Sequence, residues 1–218
     1  MKRSIFQENR KYTFSDYFEM NYPTDEIVSE FGYSYEIKVI ELPKSTDYEG
    51  NIVKNLQDIY YAVFPRIPLN SEIAKREFLI APLLLEIIKN SVAKINIEYS
   101  LNIDDKLSGY LDYFLQANQN VVVIEAKKKD MENGFNQLAV ELIALDKYED
   151  DESIEILYGA VTLGDIWKFG ILDRKKQHIV KNIHSHTIPE QTGEVFSILM
   201  GIITAENPCH VQKTSDHR

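Results

Sequence analysis

The spacing of apolar and polar residues changes several times along the chain. Residues 33–39 alternate between apolar and polar, which is typical of a strand with one covered face. Helical spacing follows over 52–64, and a further helix is predicted over 71–90, where Asn70 or Ser71 can cap the first turn. Pro82 lies inside that helix and removes one backbone hydrogen bond, so we expect a kink there.

The rest of the chain predicts a mixed α/β fold. The predicted strands span 95–101, 109–116, 120–127, 154–162, 167–173 and 178–182. Helices are predicted over 134–147 and 191–204. The order of helix, three strands, helix, strands and helix predicts a central mixed sheet with helices on its faces.

Chain length limits the number of domains. A chain of 218 residues suits one large domain, since single cores commonly reach roughly 200 residues. We therefore predict an N-terminal extension or cap over 1–69, a core over 70–204 and a flexible tail over 205–218.

Composition and charge narrow the function classes. The single cysteine, Cys209, cannot form a disulfide within the chain, and we find neither a long apolar run nor the apolar region of a signal peptide. We expect a cytoplasmic protein without membrane contact. A net charge of −10 argues against general coating of nucleic acid but leaves room for a local basic site.

Two strands carry acids where apolar residues are expected. Asp112 is the one acid among large apolar and aromatic residues in its strand, and Glu125 and Lys127 end the apolar run that begins at Val121. If the two strands pair through a turn at 117–120, Asp112 and Glu125 lie at similar distances from it. Stability explains such acids poorly, because apolar replacements are often as stable. Two converging carboxylates suit Mg²⁺ or Mn²⁺, with Lys127 holding or deprotonating a nucleophile.

The two flanking helices supply further polar residues. Glu77 lies in the apolar stripe of the helix over 71–90, so it is the candidate third acid. Gln137 comes about two turns after Met131, where its amide can bind a phosphate or fix a water molecule. Glu141 follows one turn later and can share that face.

These motifs resemble a known superfamily. SGYLDYFLQ followed by VVVIEAKKKD is similar to the D…(D/E)-x-K signature of the PD-(D/E)XK nucleases, with Asp112, Glu125 and Lys127 in the three positions. REFLIAPLLLEI resembles the first core helix of that superfamily, and YGAVTLGDIWKFGILD is similar to a strand pair in proteins related to the amino-terminal nuclease domains of type I restriction enzymes. The likeness covers roughly 70–185. Leu111 stands where the signature proline would be, and Glu141 where recombination-type exonucleases carry a tyrosine.

The resemblance implies a fold, an activity and a set of site residues. The expected fold is a restriction-endonuclease-like αβββαβ core, and the expected activity is Mg²⁺-dependent (or Mn²⁺-dependent) hydrolysis of phosphodiester bonds in DNA. Asp112, Glu125 and the carbonyl of Ala126 would bind the metal, and Glu77 would join them directly or through water. Lys127 and Gln137 complete the expected catalytic set.

The sequence also offers candidate contacts to the substrate and candidate surfaces for partners. The candidate contacts to the DNA backbone are Lys128, Lys129, Lys168, Arg174, Lys175 and Lys176. A solvated surface explains the same basic residues equally well. Residues 1–69 are a candidate surface for a homodimer or a partner protein. The competing function class is a catalytically inactive binding or interaction protein on the same fold.

Two histidines are candidate metal ligands. His184 and His186 stand two residues apart, but no cysteine and no third histidine is near them in the sequence. We therefore expect both in a solvated loop.

Overall fold

A computed structural model describes residues 4–48, 50–117, 120–126 and 130–205, with the backbone alone described for 120–126. Its α-helices are α1 (Phe14–Glu19), α2 (Thr24–Ser29), α3 (Ile52–Val63), α4 (Glu72–Lys75), α5 (Ala81–Lys89), α6 (Met131–Tyr148) and α7 (Thr192–Thr204). A π-helical segment, Arg76–Ile80, joins α4 to α5. None of the described helices is both long and apolar enough to cross a membrane.

The described strands form one mixed sheet. The strands are β1 (Ser34–Lys38), β2 (Lys94–Asn102), β3 (Ser108–Ala117), β4 (Asn120–Ala126), β5 (Ile156–Thr162), β6 (Ile166–Asp173) and β7 (His178–Thr187). Their order across the sheet is β1-β7-β6-β5-β4-β3-β2. The pairs β4–β5 and β1–β7 are parallel, and the other pairs are antiparallel. The predicted mixed α/β architecture is confirmed.

Helices cover both faces of this sheet. On one face α3, α5 and α7 enclose a core that includes Trp167 and Phe169. On the other face α6 and the short N-terminal helices enclose a second core around Phe114 and Phe135. Because β4 lies between β5 and β3 and contacts both α6 and α7, it is a central strand, as the run of β-branched residues predicted.

Two glycines allow α6 to lie close to the sheet. A Cβ added at Gly159 would stand 2.9 Å from the side chain of Leu138, and one at Gly170 would stand 2.7 Å from the ring of Phe135. Contacts this short leave no room for a methyl group. Gly159 and Gly170 therefore fix the distance between α6 and strands β5 and β6.

The helix predicted over 71–90 contains a feature that the sequence only partly predicted. Ser71 caps α4, since its hydroxyl accepts a hydrogen bond from the N–H of Ala74. Pro82 has no N–H, and just before it the N–H of Ala81 donates to the carbonyl of Arg76, five residues back. The disturbance caused by Pro82 is thus accommodated by a wider π-helical turn, a feature common at functional sites.

Residues 1–69 contribute directly to the sheet. Strand β1 pairs in parallel with β7, from Ser34 opposite His178 to Lys38 opposite Asn182. The same segment contains the short helices α1 and α2. Among the described strands β1 is an edge strand, so one side of its backbone has no strand beside it.

Candidate functional site

The β3–β4 hairpin brings the positions of the two predicted acids opposite each other. Pairing runs from Ala117 opposite Asn120 to Tyr113 opposite Ile124. One further step along this register sets the backbone position of Asp112 against that of Glu125. The predicted antiparallel hairpin is confirmed, and it places both positions at the end of the sheet where β4 finishes.

The other predicted residues of this segment are described less completely. For Glu125 and Ala126 the structure gives the backbone of β4 alone. Lys127, Lys128 and Lys129 lie outside the described residues, between β4 and α6. Their assigned roles remain predictions.

Asp112 is a half-buried carboxylate in contact with a cation. Its side chain is 17% exposed, and its Oδ1 lies 3.6 Å from Nη1 of Arg76. The same Nη1 lies 3.5 Å from Oε1 of Glu98 on the neighbouring strand β2. Both distances exceed those of a charge-assisted hydrogen bond, so the guanidinium attracts the two acids without being tightly bound to either.

Tyr113 holds the Arg76 side chain in position. The Nε of Arg76 donates to the hydroxyl of Tyr113 at 3.2 Å, and the guanidinium carbon lies 5.0 Å from the centre of the Tyr113 ring. Burial works to lower the pKa of Arg76, but the bond to Tyr113 and the charges of Asp112 and Glu98 outweigh it and raise that pKa. Arg76 is therefore a permanent cation beside Asp112.

Sequence reasoning missed Arg76 as part of the site. The available signal was its position in the helix that also carries Glu77, six residues before Pro82. Pro82 predicts a missing hydrogen bond in this helix. The sequence does not show which strand Arg76 faces.

Glu98 adds backbone strain to the same place. The β2–β3 register sets Ile97 opposite Tyr113 and Tyr99 opposite Leu111, so Glu98 comes opposite Asp112 without a regular pair. Its φ is 51°, in the left-handed region that residues other than glycine seldom adopt. Strained backbone of this kind is concentrated at functional sites.

Glu77 lies in the π-helical segment and is exposed. It follows Arg76 directly, so its helix does face the end of β3 that carries Asp112. Within the described side chains, no three histidine, cysteine or acidic residues are close enough to hold a metal ion. The structure thus brings Arg76, Asp112 and Glu98 together and leaves Glu77 at the surface.

Gln137 and Glu141 form a buried pair on α6. Gln137 Nε2 donates to Glu141 Oε1 at 2.8 Å, and both residues are almost completely buried. The prediction that they share one helical face is confirmed. Burying a carboxylate costs free energy unless hydrogen bonds compensate it, so the amide of Gln137 stabilises Glu141 in its buried position.

The predicted basic cluster is divided between the two ends of the sheet. Lys168 lies opposite Val161, which in turn lies opposite Glu125, so Lys168 belongs to the end where β4 finishes. Arg174, Lys175 and Lys176 form the β6–β7 turn at the other end. Lys175 pairs with Glu155 and Lys176 with Asp173, each at 2.5 Å.

Arg174 is engaged within the fold. Its Nε donates to Oδ1 of Asp146 at 2.7 Å. Its terminal nitrogens donate to the carbonyls of Asp146, Glu149, Asp151 and Ile154. The guanidinium therefore ties the acidic loop between α6 and β5 to the β6–β7 turn, and its nitrogens already have acceptors.

The histidine prediction was wrong in its structural part. His184 and His186 lie in β7, because the strand extends to Thr187 and does not end near 182. His184 is exposed, whereas His186 is buried beside Phe169, with the two rings 5.8 Å apart. Burial lowers the pKa of His186.

Comparison with known proteins does not assign the chain to a family. No protein-family model, no curated protein and no solved structure matches the chain.

Proposed function

We propose that the chain is a Mg²⁺-dependent nuclease with a restriction-endonuclease-like core that hydrolyses phosphodiester bonds in DNA. The β3–β4 hairpin supports this most: its register ends with Tyr113 opposite Ile124, one step before Asp112 and Glu125, and a helix and a parallel strand follow. The order α5, β2, β3, β4, α6, β5 agrees with the αβββαβ arrangement that the sequence resemblance implies.

The oxygen donors at this end suit a magnesium ion. Asp112 is half-buried at this end of the sheet, and its carboxylate supplies oxygen donors of the kind that Mg²⁺ prefers. In the proposal Asp112, Glu125 and the carbonyl of Ala126 hold the ion, and Glu77 reaches it directly or through water. Oxygen-only sets of this kind favour Mg²⁺ or Mn²⁺. When bound, the ion polarises a phosphoryl oxygen and lowers the pKa of a water molecule.

The remaining residues handle the proton, the water and the negative charge. Lys127 holds or deprotonates the attacking water. Gln137, whose amide is oriented by Glu141, fixes that water or a phosphate oxygen. Arg76 lies beside Asp112 and stabilises the charge that develops on the phosphate.

Contacts to the DNA backbone are proposed for Lys128, Lys129 and Lys168. The contact role first considered for Arg174, Lys175 and Lys176 is not part of this proposal, since they lie at the opposite end of the sheet and have partners there. A cytoplasmic location and a homodimer or partner contact through 1–69 complete the proposal, the latter because β1 is a described edge strand.

The decisive experiment is cleavage of plasmid and single-stranded DNA by purified protein with Mg²⁺ or Mn²⁺. We expect Asp112→Asn and Lys127→Met each to lower the rate by about 10²-fold to 10⁴-fold, because each removes a group that acts on the reacting phosphate. The matched control is Asp173→Asn, an aspartate at the opposite end of the same sheet. Cleavage that survives Asp112→Asn unchanged would contradict the assignment.

The contacts of Arg76 support a second candidate function, a binding or interaction protein without catalytic activity. Its guanidinium already balances Asp112 and Glu98, which is the arrangement expected of a binding or interaction protein that keeps the fold without turnover. Metal titration separates the two functions poorly, because both can bind Mg²⁺. Turnover separates them directly.

A further inference from the structure

A buried lysine lies on the α6 face of the sheet. The Lys181 side chain, on β7, is only 2% exposed, and its Nζ donates to Oε2 of Glu132 in the first turn of α6. The ammonium also lies 5.1 Å from the centre of the Phe135 ring. Burial lowers the pKa of Lys181, Glu132 raises it, and Lys168 lowers it further.

A second lysine shares the same carboxylate. The Lys168 side chain is 15% exposed, and its Nζ lies 3.8 Å from Oε1 of Glu132. Glu132 itself is 70% exposed. In the described part of the chain, no other carboxylate comes within salt-bridge distance of either lysine. Among the described residues, one buried and one half-buried ammonium therefore share a single exposed carboxylate.

This arrangement is electrostatically incomplete. Removing an ammonium from water costs several kcal/mol, and two neighbouring ammoniums also repel each other. An exposed carboxylate offsets little of this, because solvent screens it and its side chain loses entropy when held in one position. A ligand with more than one negative charge, bound in place of Glu132, would balance both lysines.

Space and helix geometry favour an anion at this position. Glu132 lines a cavity of about 310 Å³ together with Asn133 and Asn136 of α6, and with Thr24 and Tyr35. The cavity lies beside the N-terminus of an 18-residue helix, where the helix dipole attracts negative charge. Asp25 lines the same cavity and neither lysine does, so the anion is expected at the edge of the cavity where Glu132 meets Lys168 and Lys181.

We propose that Lys168 and Lys181 form a phosphate-binding subsite and that Glu132 occupies it in the absence of ligand. The subsite lies beside the proposed catalytic residues: Lys168 is two strands from Glu125 in the register, roughly 10 Å. Its phosphate is accordingly a neighbour of the scissile one on the same nucleic acid strand. That assignment to a strand rests on the proposed function, whereas phosphate binding itself does not.

The first test uses inorganic phosphate and no DNA or metal. Thermal unfolding midpoints are measured with sodium phosphate and with sodium chloride at equal ionic strength, for the unsubstituted protein and for Glu132→Gln. We expect phosphate to raise the midpoint of Glu132→Gln by several degrees more than that of the unsubstituted protein, because the competing carboxylate is gone. Adding Lys168→Met to Glu132→Gln should abolish the difference.

The matched control is Glu155→Gln, which makes the same change in the ion pair with Lys175 at the far turn. A phosphate response of Glu132→Gln equal to that of Glu155→Gln overturns the subsite. Because Glu132→Gln leaves both lysines in place, loss of folding in a lysine variant does not decide the result.

The second test identifies the source of the phosphate. Binding of a fluorescein-labelled single-stranded oligonucleotide is measured by anisotropy in EDTA over a range of salt concentrations. We expect Glu132→Gln to bind at least several-fold more tightly, and Lys168→Met to lower the slope of log affinity against log salt by about 0.7. A phosphate response without any change toward the oligonucleotide supports the subsite and overturns its assignment to a strand. Oligonucleotide binding without cleavage leaves the subsite standing and defeats the nuclease.

Discussion

The two ends of the central sheet both carry many charges, but they arrange them differently. At the β6–β7 turn, each basic residue has its own acceptors: Lys175 pairs with Glu155, Lys176 with Asp173, and Arg174 with Asp146 and nearby carbonyls. At the end where β4 finishes, among the side chains that the structure describes, one guanidinium contacts two acids and one carboxylate contacts two lysines.

The difference shows which charges are available to a ligand. Charges that are matched one to one within the fold gain little from an added ion, because a new partner must displace an existing one. Unequal sets of half-buried charges gain from a partner that balances them. We therefore expect the β6–β7 turn to contribute stability, and the ligand sites that we propose lie at the other end.

The largest predicted effect concerns Arg174. Arg174→Met should destabilise the protein by about 3–5 kcal/mol, because it leaves Asp146, whose side chain is 12% exposed, as a buried charge without its cation. The free energy of unfolding is measured in urea. Lys175→Met, in an exposed pair one residue away, is the control and should change it by no more than about 0.5 kcal/mol. Equal effects of the two substitutions would mean that the turn does not depend on Arg174.

A smaller effect is predicted for Arg76. Arg76→Met removes a cation lying 3.6 Å from Asp112, so we expect the Mg²⁺ concentration for half-maximal cleavage to fall by about 3-fold to 10-fold. The maximal rate should fall as well, since the charge that assists the phosphate is lost. The control is Arg66→Met. The Arg66 side chain donates to the carbonyl of Ala62 at the end of α3. An unchanged Mg²⁺ requirement would show that Arg76 and the metal site are not coupled.

The smallest effect concerns pH and His186. Because burial holds the pKa of His186 below its ordinary value of 6.5, the unfolded chain takes up a proton at a higher pH than the folded chain does. Stability should therefore decline as the pH falls below about 6.5, down to the pKa of the folded state. Chemical unfolding at a series of pH values measures this, and His186→Gln should flatten the curve in that range. His184→Gln, at an exposed position of the same strand, is the control, and it should change the curve less than His186→Gln does.

The sequence predicted the elements of the core more accurately than their extensions. The alternation in β3 and the apolar run of β4 mark strands wherever they lie, so the hairpin and its register followed from local patterns and a short turn. Strand β7 was predicted too short because its last residues, from Ile183 onward, include exposed polar positions. Its pairing with β6 through Thr187 is a tertiary contact that no local pattern contains.

The sequence likewise predicted part of the candidate site and missed the rest. Asp112 and Glu125 stand out because acids are costly in apolar strands, and a hairpin sets their separation. The meeting of Arg76 and Glu98 with Asp112 depends on a helix crossing the strands at a particular height, which no local pattern contains. Gln137 and Glu141 lie one turn apart on α6, so their shared face followed from the sequence. The six candidate DNA contacts looked alike in the sequence, and only the sheet topology separated Lys168 from the residues of the far turn.

The sequence alone determined where most of the core strands and helices form and which strand positions carry acids, because both depend on residues near each other in the chain. The tertiary structure decided which charges meet, since the partner of Asp112 comes from 36 positions earlier and that of Lys181 from 49 positions earlier. Burial then sets the strength of each pair. A lysine on the surface and a lysine buried beneath α6 are the same residue in the sequence, but the buried one interacts more strongly with nearby charges because less water screens it.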